Sequence, residues 1–128
     1  MVLGFTKTFV INGKRKPTGF EEKIKNGSKK HTIRWDDKDR WKLGSKIHCA
    51  TGVRTPQYNC FHETDCKGIQ KIKIEGRAIY VDGTYLFEEE IETLALNDGF
   101  DSVEEFWIWF DQYNPFIGKI IHWSNLLY

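Results

Sequence analysis

The spacing of the apolar residues changes character two-thirds of the way along the chain, and that change constrains the fold more than any other feature. Up to about residue 81 the apolar residues stand in short β-branched and aromatic runs cut by Gly, Asn, Asp and Pro. Such runs read as strands separated by turns. The first covers residues 2–11 and leads into a polar turn at Asn12-Gly13-Lys14. Further strands are expected over residues 31–35, 45–54, 58–62, 67–75 and 77–81. In the 45–54 run, Ile47, Cys49 and Thr51 alternate with Lys46, His48 and Ala50. In 67–75 the alternation of Ile69, Lys71, Lys73 and Glu75 with Gln70, Ile72 and Ile74 is poor. Asp82-Gly83 is a hairpin turn signal. One helical pattern interrupts the strands. Thr18-Gly19-Phe20-Glu21 matches a capping box, Phe20 and Ile24 share a face, and Gly27 can close the helix with positive φ, so residues 19–26 are expected to be helical.

Beyond residue 86 the period becomes helical. Phe87, Ile91, Leu94 and Ala95 fall on one face of a helix over 87–96 that Asp98-Gly99 ends. Ser102-Val103-Glu104-Glu105 is a second capping box, followed by Phe106, Trp109 and Phe110 at helical spacing and stopped by Asn114-Pro115. Residues 117–123 return to an apolar strand that completes the sheet. This order predicts an α+β fold: a mostly antiparallel, barrel-like sheet with short helices at its ends.

At 128 residues the chain is one domain, 1–128, with no repeat or linker, and is long enough to bury a core without staples. A content of 40% hydrophobic and 29% charged residues excludes a disordered chain. Aromatics at 15% can fill a small barrel and leave some for stacking on a ligand. No apolar run approaches the ~18 residues of a membrane span. Lys7 interrupts the apolar start, so no signal peptide is read. Three cysteines, an odd number, are then expected to be reduced thiols of a cytoplasmic protein, taken as a monomer. The net charge of +1 conceals an asymmetry. Residues 1–75 carry 17 Lys and Arg against 8 Asp and Glu, and residues 76–128 carry 2 against 10. The basic half can attract a polyanion, or the halves can neutralise each other in the fold.

Phe20 to Arg34, with Gly27 ending a helix, then Lys29 and Thr32-Ile33-Arg34, resembles the opening of ASCH domains. Lys42-Leu43-Gly44 before a strand, Asn97-Asp98-Gly99-Phe100 with Ser102 and Glu105-Phe106, and Phe116-x-Gly118-Lys119-Ile120-Ile121-His122-Trp123 resemble later parts of the same family. The resemblance runs from about residue 18 to the end. It implies a PUA-like β-barrel, an association with RNA or a modified nucleoside, and no cofactor. One branch of the family removes the acetyl group from acetylcytidine with a Lys, a Thr and an acidic residue. These fall by motif on Lys29, Thr32 and Asp98, where that branch has Glu rather than Asp. The residues 53–68 also form a longer insertion than in the smallest members.

Amide hydrolysis by such a set is chemically coherent. A Thr hydroxyl needs a base, and a lysine serves only when neutral. Burial, Arg34 and Lys30 would lower the pKa of Lys29 and Asp98 would raise it, so the sign of the shift is open. Arg34 can hold a developing oxyanion or a phosphate, and Asp98 can donate to the departing amine. Each residue also has a plainer role: Lys29 on the surface after a helix cap, Thr32 in a strand, Asp98 in a helix-exit turn, and Arg34 paired with Asp36 or Asp37. Trp35 and Trp41 flank the basic loop and can stack on a base or fill the barrel end. His48, Cys49, Cys60, His62 and Cys66 lie within one stretch, but no tight Cys-x-x-Cys knuckle is present. His62-Glu63 resembles part of a zinc-deaminase signature whose Cys pair is missing. The expectation is therefore free thiols and no metal. The functions open at this point are RNA or nucleoside binding, amide hydrolysis of an acylated cytidine, and a regulatory scaffold.

Overall fold

The computed structural model describes residues 1–128. Strands β1 (Val2–Gly4), β2 (Thr8–Ile11) and β3 (Lys14–Pro17) precede helix α1 (Phe20–Asn26). Strands β4 (His31–Arg34), β5 (Lys46–Thr51), β6 (Asn59–Asp65), β7 (Gly68–Glu75), β8 (Ala78–Val81) and β9 (Thr84–Tyr85) follow. Helices α2 (Glu88–Asn97) and α3 (Val103–Asp111) then lead to β10 (Phe116–His122). The strands form three ladders. An antiparallel sheet runs β4-β10-β7-β8-β9, a second runs β1-β5-β6 with β1 parallel to β5, and β2-β3 is a hairpin. The protein is thus α+β and mostly antiparallel, with three helices, and its ladders do not close into a single barrel.

The central sheet is organised by β10, which pairs with β4 on one side and β7 on the other. Gly118 to His122 are buried without alternation, as in a strand covered on both faces. In β7 the alternation is clean. Gln70, Ile72 and Ile74 face inward and Lys71, Lys73 and Glu75 face solvent, and the pattern is poor in the sequence only because a polar residue, Gln70, stands in the inward set and an apolar one, Ile69, in the other. Asp82 and Gly83, at φ 50° and 81°, turn β8 into β9 as the dipeptide predicts.

Several local expectations fail for identifiable reasons. The single strand over 2–11 breaks at Phe5-Thr6-Lys7, where the chain leaves the β5 sheet to build the β2-β3 hairpin. Strand β3 has no signature in the sequence, because Lys14-Arg15-Lys16 lies on the surface and carries no apolar alternation. The first capping box does not form. The Thr18 hydroxyl accepts the Phe20 amide at 3.4 Å and donates to Thr6 O at 2.7 Å, tying down the break, but Gly19 caps α1 in the left-handed region and Glu21 pairs with Lys25 instead of reaching back. Phe87 is not on the buried face of α2 but stands exposed ahead of it, its amide bonded to Glu90 at 3.0 Å. The second box is half made. Ser102 Oγ accepts from Glu105 N, while the Glu105 carboxylate turns to Lys16 at 2.6 Å.

Candidate functional site

The break after β1, the N-terminus of α1, strand β4 and the exit of α2 meet around a cavity of about 300 Å³. Its walls are mainly aromatic, including Phe5, Phe20, Phe100, Trp109 and Phe116, and its polar groups include Lys29, Thr32, Arg34 and Asp98. Lys29, Thr32 and Asp98 therefore line one space, although Asp98 is 69 positions from Lys29. The Lys29 stem follows the αL cap of α1 and runs beneath Gly99, which has φ 96°. A Cβ at Gly99 would stand 2.9 Å from Lys29 Cδ and 3.1 Å from Phe20 Cδ1, so only glycine lets the exit of α2 approach this closely.

Lys29 is 2% exposed and is among the largest fully buried side chains. Its Nζ donates to Asp98 O, lies 3.5 Å from Asp98 Oδ1, and stands 4.6 Å from the Phe20 ring centroid. Burial pushes its pKa down to about 8, Asp98 pulls the other way, and Arg34 adds to the depression. Asp98 Oδ1 also meets His31 Nδ1 at 3.1 Å. Burial lowers the pKa of His31 against the pull of Asp98. With neutral His31 donating from Nδ1 to Asp98, its Nε2 accepts the Tyr128 hydroxyl at 2.5 Å, and Tyr128 accepts in turn from Asn97 at 3.1 Å. Asp98 Oδ2 has no hydrogen-bond partner in the protein.

Arg34 is held from two sides. Its Nε donates to Thr32 Oγ1 at 3.2 Å and its Nη2 to Gly4 O at 2.7 Å, with the guanidinium 4.9 Å from the Phe5 centroid. Thr32 is buried, and its hydroxyl is oriented by Arg34 rather than by Lys29. Arg34 does not pair with Asp36 or Asp37. Asp36 instead takes the amides of Arg40 and Trp41 and the ammonium of Lys119.

The other sequence candidates divide. Trp35, 69% exposed, stands among the lining residues. Trp41, 8% exposed, is buried in the core and does not line the cavity, because Asp36 caps its amide and folds the loop inward. Lys30 also lies outside it. Its Nζ reaches Gly27 O at 3.4 Å, and its backbone joins β4 to Asn97 and Trp123. His31, Tyr128 and most of the aromatic wall were missed by sequence reasoning. A histidine in a strand and aromatics at helical spacing carry no signal that separates a cavity from a core. A more open, polar groove lined by Lys7, Thr8 and Arg15 adjoins the cavity and shares Gly4, Phe5 and Thr6 with it.

The three cysteines are free, with Cys49 and Cys66 buried and Cys60 partly exposed. Of the His and Cys residues noted in the sequence, His48 and Cys60 come together, joined by Glu63. Comparison with protein-family models, curated proteins and solved structures finds no match to this chain.

Proposed function

We propose that the aromatic cavity binds a single planar heterocycle, a nucleobase or nucleoside carrying an acylated exocyclic nitrogen, and that the protein hydrolyses that amide. The reading rests on the resemblance of the sequence to ASCH domains and their PUA-like barrel, and on one observation above all. A fully buried lysine with its pKa near 8 shares an aromatic-walled cavity with a buried threonine and a carboxylate. A volume of about 300 Å³ is at the lower end of ligand pockets and suits one base rather than a strand. Aromatic walls suit a π-face.

In this reading Thr32 Oγ1 attacks the acyl carbon and gives its proton to the neutral fraction of Lys29, about one in ten at pH 7. Arg34, already bonded to Thr32, donates to the oxyanion. The C–N bond breaks as Lys29 returns the proton to the leaving nitrogen. Water activated by Asp98 then cleaves the threonine ester, releasing the acid and restoring the hydroxyl. Asp98 meanwhile holds Lys29 in place, and His31 holds Asp98.

A second reading, recognition of one nucleotide of an RNA without turnover, is favoured by the exposed Trp35 and by the adjoining groove with Lys7 and Arg15. A cation-lined groove can follow a phosphate backbone. The test is incubation with N4-acetylcytidine and chromatography for cytidine, with Lys29→Ala and Thr32→Ala in parallel. Cytidine formed by the wild type and lost in both variants supports hydrolysis. No turnover, with salt-dependent RNA binding weakened by Trp35→Ala, moves the function to recognition.

A further inference from the structure

A second constellation lies on the β5-β6 ladder and takes no part in the cavity described above. His48 of β5 faces Glu63 of β6 directly across the ladder, with Nδ1 3.2 Å from Oε1. Cys60 lies three positions from Glu63, and regular alternation would send it to the opposite face. The register shifts between Cys49 and Ala50, pairing Cys49 with His62 but Ala50 with Cys60, so one extra residue, Phe61, is taken up on β6. Bulges of this kind re-aim side chains. Here the shift brings the Cys60 sulfur, one His48 nitrogen and one Glu63 oxygen within 4.8 Å of one another. Phe61 meanwhile packs on the core, with its ring 6.3 Å from that of Phe5.

We propose that His48, Cys60 and Glu63 bind a divalent transition-metal ion, zinc in particular. Thiolate, imidazole and carboxylate together suit a borderline-soft cation, while magnesium and calcium prefer all-oxygen sites. The 3.2 Å spacing of His48 and Glu63 matches an edge of a tetrahedron with bonds of ~2.0–2.1 Å to nitrogen and oxygen. Cys60 needs only a small side-chain adjustment to close the third bond. Its thiol, 3.8 Å from His62 O, is only weakly engaged and would lose its proton to solvent on binding. Three protein donors leave the fourth position for water. Cys49 and Cys66 are buried and lie outside this cluster. The ion would cross-link β5 to β6 at the bulge and brace the Gly52–Tyr58 connection.

The experiment is titration of the dialysed, reduced full chain with Co²⁺ alone, followed by displacement with Zn²⁺. The expected result is one ion per chain and a thiolate-to-cobalt charge-transfer band that Zn²⁺ abolishes. Cys60→Ser should lose the band, and His48→Ala and Glu63→Gln should each weaken binding at least tenfold. All three side chains are at least partly exposed, so these variants should fold, as circular dichroism would verify. Absence of the band in the wild type, or its persistence in Cys60→Ser, would overturn the site.

Discussion

At the scale of single residues, Lys29 is the unusual feature. A buried ammonium costs free energy unless it is paired and hydrogen-bonded, and here Asp98 supplies both. Removing the lysine alone leaves Asp98 buried with a neutral histidine as its remaining hydrogen-bonded partner, so Lys29→Met should cost about 3 kcal/mol or more in urea unfolding at pH 7. Lys29→Met/Asp98→Asn should recover part of that loss, and a fully additive double mutant would contradict the pairing. The depressed pKa also sets a pH window. The native lysine releases its proton near pH 8 and the unfolded one near 10.5, so the unfolded chain binds more protons between those values. Stability should therefore rise with pH from about 8 to 10.5, and Lys29→Met should abolish the rise. If Lys29 is the base, hydrolysis should climb with pH and level off above about 8. Gly99→Ala tests the same contact from the other side. Its φ of 96° and the 2.9 Å approach to Lys29 Cδ predict a loss of about 1–3 kcal/mol and a disturbed lysine.

At the scale of elements, the cavity depends on how α3 is joined to β3 and α1. Lys16 of β3 reaches both Asp101 and Glu105, and Lys23 of α1 reaches Asp101 and Gly99 O. These charges link the basic first part of the chain to the acidic last part, so some of the charge asymmetry is spent inside the fold. Ser102 starts α3 by accepting from Glu105 N, and Ser102→Ala should cost about 1 kcal/mol. Because Trp109 and Phe110 on that helix line the cavity, the same variant should also weaken ligand binding. Unchanged affinity would show that the wall does not depend on the helix start.

At the scale of the whole molecule, β4 and β10 carry two buried histidines side by side. His31 and His122 have centroids 5.1 Å apart, and His122 donates from Nε2 to Gln70 at 3.0 Å while its Nδ1 has no partner. Burial lowers the pKa of His122 to about 4, and that of His31 is lowered as well. The unfolded chain takes up these protons near the ordinary value of 6.5, while native His122 refuses its proton until about 4. Stability is thus fully present above pH 6.5 and falls as the pH drops towards 4. His122 alone accounts for about 3 kcal/mol of that loss. Denaturant midpoints at pH 7 and pH 5 should show the fall, and His122→Asn should flatten it. An equal slope in the variant would assign the acid sensitivity elsewhere.

Local chemistry made most of the elements legible. The Gly27 cap, the Asp82-Gly83 turn, the Asp98-Gly99 exit and the apolar run of β10 are properties of neighbouring residues, and each falls where the sequence indicates. Lys29, Thr32, Arg34 and Asp98 could be singled out by motif and Trp35 by its place beside the basic loop, but their convergence on one cavity is a matter of packing. So are the burial of Trp41, the outward course of Lys30 and the entry of His31 into the Asp98 network. The sign of the Lys29 shift belongs with them. Desolvation competes with an ion pair, and both strengths depend on distances between segments far apart in the chain. The break at Phe5-Thr6-Lys7 and the bulge at Phe61 have the same origin. Alternation foretells a strand, but only the partners across the sheet impose where it must bend.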